Sequence, residues 1–163
     1  MKKLIALILA MVCMMSLVAC GDTKQDSVVY SFHGENEYFE VSNGVIVFNT
    51  EEELFEGGDL RVIDNSIFNE IASFSTVFYV IENGNKKTIL HNETIDMTGG
   101  AVNLDGGLGS ISGNNAVLSN KVSLDELKYN LWFELKTTDL DGKENTYQMQ
   151  LILNNVTNYE DDY

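Results

Sequence analysis

The chain has 163 residues, with 25 Asp and Glu against 10 Lys and Arg, a net charge of −15, two cysteines and no proline. That balance excludes nucleic acid, whose phosphates need a basic patch, and it disfavours anionic lipid headgroups and phosphate-rich wall polymers. Proline would number roughly eight in an average chain of this size, so its absence excludes a proline-rich stalk.

Taken in order, Met1-Lys2-Lys3 is a basic start, an apolar run follows from Leu4, and the run ends at Leu17-Val18-Ala19-Cys20-Gly21. These parts make a secretory signal peptide. The run is shorter than the roughly 20 residues a membrane span needs, and no stop-transfer charge cluster follows it. Its ending resembles the lipobox of bacterial lipoproteins. The resemblance implies cleavage after residue 19 and lipidation of Cys20 through a diacylglycerol thioether, with fatty acids such as palmitate. The protein would then be held by that anchor on the outer, extracytoplasmic face of the cell membrane, with the bilayer as its first partner. Cys13 would leave with the leader, which excludes a disulfide or a thiolate metal site in the mature chain. The net charge would deepen to about −17 on loss of Lys2 and Lys3. Residues 20–27 read as the lipidated cysteine and a small, polar tether. Residues 28–157 read as one domain, long enough to bury roughly two-thirds of its unfolded surface without staples. Residues 158–163 are an acidic tail.

Val28–Phe32 is the first strand candidate. The stretch Phe32-His33-Gly34-Glu35-Asn36-Glu37-Tyr38-Phe39 resembles the Gly-Glu-x-x-x-aromatic opening of small lipoproteins of Gram-positive bacteria, a family that implies no activity and no catalytic residue. Asn43-Gly44 predicts a hairpin, because both residues tolerate positive φ in a type I′ turn. Folding there pairs Val41 with Ile46 and Phe39 with Phe48, and all four share one face. Leu60–Ile63 is another strand, and residues 66–72 carry a weak helical signal. Asn83-Gly84 predicts a second hairpin, joining Phe74–Ile81 to Lys86–Leu90. Phe74, Phe78 and Val80 point one way and Val77, Tyr79 and Ile81 the other, so this strand should be central.

The Gly-rich segment 98–115 is the longest irregular stretch, with Asp105 its only charge. It can be a plain connection, a ligand-facing loop or a glycine-rich strand. Ser123-Leu124-Asp125-Glu126 has capping-box spacing and predicts a short helix before Tyr129. The third hairpin joins Leu131–Thr137 to Tyr147–Leu153. A two-residue turn at Asp141-Gly142 would set Glu134 opposite Met149. A three-residue loop, Leu140-Asp141-Gly142, pairs Leu135 with Tyr147, Phe133 with Met149 and Leu131 with Leu151, with Gly142 in the left-handed position. Seven to nine strands with few helices predict an all-β fold, an antiparallel β-sandwich of immunoglobulin-like or similar type.

Catalytic signatures are missing: there is no nucleophile elbow, no HExxH, no phosphate-loop lysine and no free thiol. His33, near Glu35, and His91, near Glu93, could each serve as a base with a carboxylate orienter, or be plain surface histidines. Asp139, Asp141 and Glu144 gather at the third hairpin tip. They lack the calcium-loop spacing, and an acidic turn competes with weak calcium binding. No cofactor or metal is nominated. Alternation turns Trp132 outward beside Glu134 and Lys136, with Gln148, Gln150 and Ile152 across the hairpin. A ring among amides and charges suits a saccharide or peptide ligand, unless a loop or helical turn covers it. The sequence thus favours a non-enzymatic binding or accessory domain for a saccharide or peptide. An envelope structural or protein-interaction module is the alternative, and a hydrolase comes third.

Overall fold

The computed structural model describes residues 27–49, 52–95, 99–114, 117 and 124–157. The leader, Cys20, most of the tether, Ser123 of the capping box and the acidic tail lie outside the described residues. The strands in chain order are β1 (Val28–Glu35), β2 (Phe39–Phe48), β3 (Glu53–Glu56), β4 (Asp59–Val62), β5 (Ile71–Glu82), β6 (Asn85–Ile95), β7 (Gly106–Gly107), β8 (Ser110–Gly113), β9 (Leu131–Asp139), β10 (Glu144–Gln150) and β11 (Ile152–Asn155). A 3-10 turn spans Asn65–Ile67, and one helix, α1, spans Leu124–Asn130.

Two antiparallel sheets face each other, as expected for a sandwich. The seven-stranded sheet runs β11-β1-β2-β3-β8, with β4 also on β2 and β7 on β4; the four-stranded sheet runs β10-β9-β5-β6. Between them lie five fully buried phenylalanines. Phe32 stacks on Phe55 at 5.2 Å, Phe55 meets Phe78 at 5.1 Å, Phe78 meets Phe133 at 5.0 Å, and Phe133 meets Phe39 at 5.7 Å. The tilted and edge-on contacts among them suit the ring quadrupoles. Leu127 of α1 adds a fully buried side chain to this core.

The second hairpin forms at the predicted turn, with a one-residue shift in its ladder between Phe78 and Tyr79, and the third forms in the predicted register. Asn83 and Gly84 both have positive φ, and β5 lies between β9 and β6. At the third hairpin Tyr147 faces Leu135 and Met149 faces Phe133. The Leu151 amide donates to Leu131 O at 2.8 Å, and Gly142 has φ 81°. Beyond that point the chain leaves the hairpin. Leu151 alone separates β10 from β11, and β11 pairs with β1 in the other sheet. This crossing closes one side of the sandwich. On the other side, the Asn92 amide of β6 donates to Leu108 O.

The first hairpin is not at Asn43-Gly44. β2 continues straight through that dipeptide, and its true turn partner is β1, joined through residues 36–38. There Asn36 Oδ1 accepts from the amides of Tyr38 and Phe39 at 2.9 and 3.0 Å. At Asn43-Gly44 the ladder shifts instead. Phe32 faces Gly44 but Gly34 faces Val41, so β2 carries one extra residue, a bulge. Phe39, Val41, Ile46 and Phe48 all reach the core, as predicted. A two-residue turn and a one-residue bulge change the alternation phase in the same way, so the facing pattern fits both. Pairing on both edges of β2 decides for the bulge.

The bulge begins a crease across the sheet. Gly57-Gly58, which separates β3 from β4, lies opposite it, and Leu108-Gly109 separates β8 from β7 beyond. Hydrogen bonds run through the bend, from Gly57 N to Gly109 O and from Leu108 N to Gly58 O, both 2.8 Å. The Gly-rich segment therefore supplies a bent edge strand, and Asp105 ties it down by accepting from Val62 N at 2.6 Å. A methyl group at Gly44 would overlap the Phe32 ring, and one at Gly57 would meet Phe78. The glycines let two aromatic rings lie on bare backbone. The weak helical signal at residues 66–72 yields only the 3-10 turn, capped by Asp64 Oδ1 accepting from Ser66 N at 2.9 Å, because Ile71 already begins β5.

Candidate functional site: the outer face of the four-stranded sheet

Leu131, Phe133 and Leu135 are fully buried, so the alternate residues of β9 face out. Register extends that face across all four strands. The first row carries Tyr79, Trp132 and Gln150, and the second His91, Val77, Glu134 and Gln148. A third row carries Glu93, Ser75, Lys136 and Thr146, and a fourth Ile95, Ser73, Thr138 and Glu144. Side chains on β6 and β10 are mostly exposed, whereas those on the central strands are mostly half-buried or buried. The result is a shallow trough along β5 and β9.

The four residues nominated from sequence do share this face. Trp132 stands directly across from Gln150, and Glu134 across from Gln148. Trp132 is half-buried, and its Nε1 donates to Asn130 Oδ1 at 3.1 Å. Asn130 ends α1 and is itself tied to Ile81 O through its amide nitrogen. Gln150 Nε2 donates to Tyr129 O at 2.6 Å. The helix end thus fixes the ring edge of half-buried Trp132 and holds the amide nitrogen of exposed Gln150.

Glu134 differs from its expected character. Its side chain is only 5% exposed. Oε1 accepts from Lys86 Nζ at 2.8 Å and lies 3.6 Å from Lys136 Nζ, and Oε2 accepts from Gln148 Nε2 at 2.5 Å. Burial works to raise this carboxyl, but the hydrogen bonds from Lys86 and Gln148 and the charges of Lys86 and Lys136 outweigh it and hold the group below its usual range. The carboxylate is engaged within the sheet rather than offered to a ligand, which makes Glu134 a positioning residue. Lys86 also caps the Tyr79 ring at 4.0 Å from its centroid. Burial first, and the Glu134 charge second, raise the Tyr79 phenol.

Sequence reasoning placed Lys136 on this face but missed Lys86, Tyr79 and the rest of the third and fourth rows, and Ile152, expected here, lies instead on β11 of the other sheet. The signal was partly present, since Ser73, Ser75, Val77 and Tyr79 alternate with the buried strand face. That β5 lies beside β9 is a pairing between residues some sixty positions apart, which no local pattern encodes. Apart from Ile95, the third and fourth rows line a hollow of about 280 Å³, together with Phe74, Thr137 and Asn145. A second hollow, of about 410 Å³, sits outside the crease, where Asn43 Nδ2 donates to Asp59 Oδ2 at 2.9 Å.

The other candidates do not assemble. His33 is exposed on β1 of the opposite sheet, and His91 is exposed within β6. Asp139 Oδ1 accepts from the amides of Asp141 and Lys143 at 3.0 and 2.8 Å, which makes it the clasp of its own loop. Among the described residues no three His, Cys, Asp or Glu side chains converge as metal ligands. Also among the described residues, no helix is long and apolar enough to cross a membrane. No family model, curated protein or solved structure matches the chain.

Proposed function

We propose that this is a non-enzymatic binding domain, lipid-anchored on the outer, extracytoplasmic face of the cell membrane, that takes a saccharide on the outer surface of its four-stranded sheet. The observation that carries the binding reading is the open face on which half-buried Trp132 lies in register with exposed Gln150 and Gln148. A ring held at its edge can stack on a sugar face, and the neighbouring amides, each already donating one N–H within the fold, have a second N–H and an oxygen with which to orient the hydroxyls. Saccharide is favoured over peptide for a further reason. Both edges of β5 and β9 are already paired, so the trough offers no free backbone for strand addition. The anchor rests on the leader and the Leu17-Val18-Ala19-Cys20 sequence.

Two experiments test the two halves. Metabolic labelling with a fatty-acid probe should mark the wild type and leave Cys20→Ala unmarked; equal labelling removes the anchor. For binding, Trp132→Ala should stay folded, losing about 1–2 kcal/mol for a partly buried ring. It should also lose the rise in melting temperature that a bound glycan gives the wild type. Collapse of the fold would instead make Trp132 a structural residue.

A further inference from the structure

The hollow at the far end of the trough from Trp132 has no role in the reading above. It is lined by Ser75, Lys136 and Thr146 of one row and by Ser73 and Thr138 of the next, with Phe74, Thr137 and Asn145 between them in the chain. Carboxylates stand at opposite margins, Glu93 on β6 and Glu144 on β10, both exposed. The hydroxyls can each donate and accept, which suits a polyol. Lys136 leans back toward Glu134 at 3.6 Å, so the hollow presents more negative than positive charge. In a chain of net charge −15, that disfavours acidic sugars.

Trp132 and the centre of this hollow lie on the same face of β9 some five residues apart, or roughly 15 Å at the rise of a strand. A single sugar ring cannot touch both. Between them runs the Glu134 row, where the carboxylate is paired with Lys86 and Gln148 and Val77 is half-buried. That stretch is low and charge-compensated, so a neutral ligand can pass over it without facing a bare charge. We infer that the hollow lined by Ser75, Lys136, Thr138 and Thr146 is a second subsite, and that the ligand is an extended, uncharged oligosaccharide running along β5 and β9 from Trp132 to this hollow. The inference rests on the saccharide reading of the Trp132 face and names its ligand as a chain.

Calorimetric titration of the full-length protein with β-1,4-linked glucose and N-acetylglucosamine oligomers, from monomer to hexamer, tests it. Affinity should rise by about tenfold or more between dimer and hexamer for at least one series. Ser75→Tyr, which fills the hollow, should remove that rise and leave dimer affinity unchanged, whereas Trp132→Ala should lower both. If Ser75→Tyr does not fold, Thr146→Tyr on the exposed outer strand makes the same obstruction. Affinity independent of length, or hexamer binding unchanged by the filled hollow, overturns the second subsite while leaving Trp132 as a saccharide platform. No binding of either series at any length overturns the subsite and the saccharide reading together.

Discussion

The four-stranded sheet reverses its chain at Asn83-Gly84, where φ is 50° and 78°. The seven-stranded sheet carries its chain on through Asn43-Gly44, where only Asn43, at φ 59°, is left-handed. The same dipeptide makes a hairpin in one sheet and a bulge in the other. What differs is the company. Nothing lies near Gly84, so its local preference is expressed, whereas Gly44 is covered by the Phe32 ring and its strand is paired on both edges. A turn signal states which backbone angles are affordable. Packing decides what they are used for.

The sharpest way to break this comparison is to add one methyl group to each glycine. Gly44→Ala forces carbon into the Phe32 ring and should destabilise by about 2–3 kcal/mol, the cost of overpacking a tight core. Gly84→Ala meets no neighbour and should lose about 1 kcal/mol, from positive φ alone. Urea unfolding of both variants checks the ratio. Equal losses would mean that the ring does not rest on Gly44 and that the crease is a feature of backbone angles only.

A smaller effect probes the trough. Because Glu134 is held below its ordinary value of 4.5 in the folded state, its contribution is fully present above that pH. It fades as pH falls through the depressed folded value. Glu134→Gln should therefore cost on the order of 1 kcal/mol at neutral pH, with the gap to wild type closing in acid. Melting temperatures of both proteins between neutral pH and pH about 3 read the gap. A gap that is constant with pH would show that the carboxylate charge is not what Lys86 and Gln148 hold.

The acid pairing of Glu134 could not be read from its neighbours in the chain. Its place on the outward face was legible from alternation with Leu131, Phe133 and Leu135. Its pairing comes from Lys86, which reaches it from β6 across β5. Likewise the register of the third hairpin was readable to the residue, because its loop and both strands lie within residues 131–151. The Gly-rich segment was not, since a strand made of Gly106-Gly107 and Ser110–Gly113 carries no apolar alternation. It is held by ladder bonds to β3 and β4 and by Leu104 and Leu108 in the core.

By itself the sequence determined the all-β class, which residues face inward, and where the chain can adopt left-handed angles. These depend on side-chain chemistry and sterics within a few residues. It also carries the segment 1–21 on which the proposed lipid anchor rests. The tertiary structure alone decided which strands are neighbours, that Asn43-Gly44 bends rather than turns, that β10 crosses into the other sheet as β11, and that Trp132 shares a trough with Ser75 and Thr146. Those outcomes depend on burying both inner faces at once around five phenylalanines, and that requirement couples residues distant in the chain.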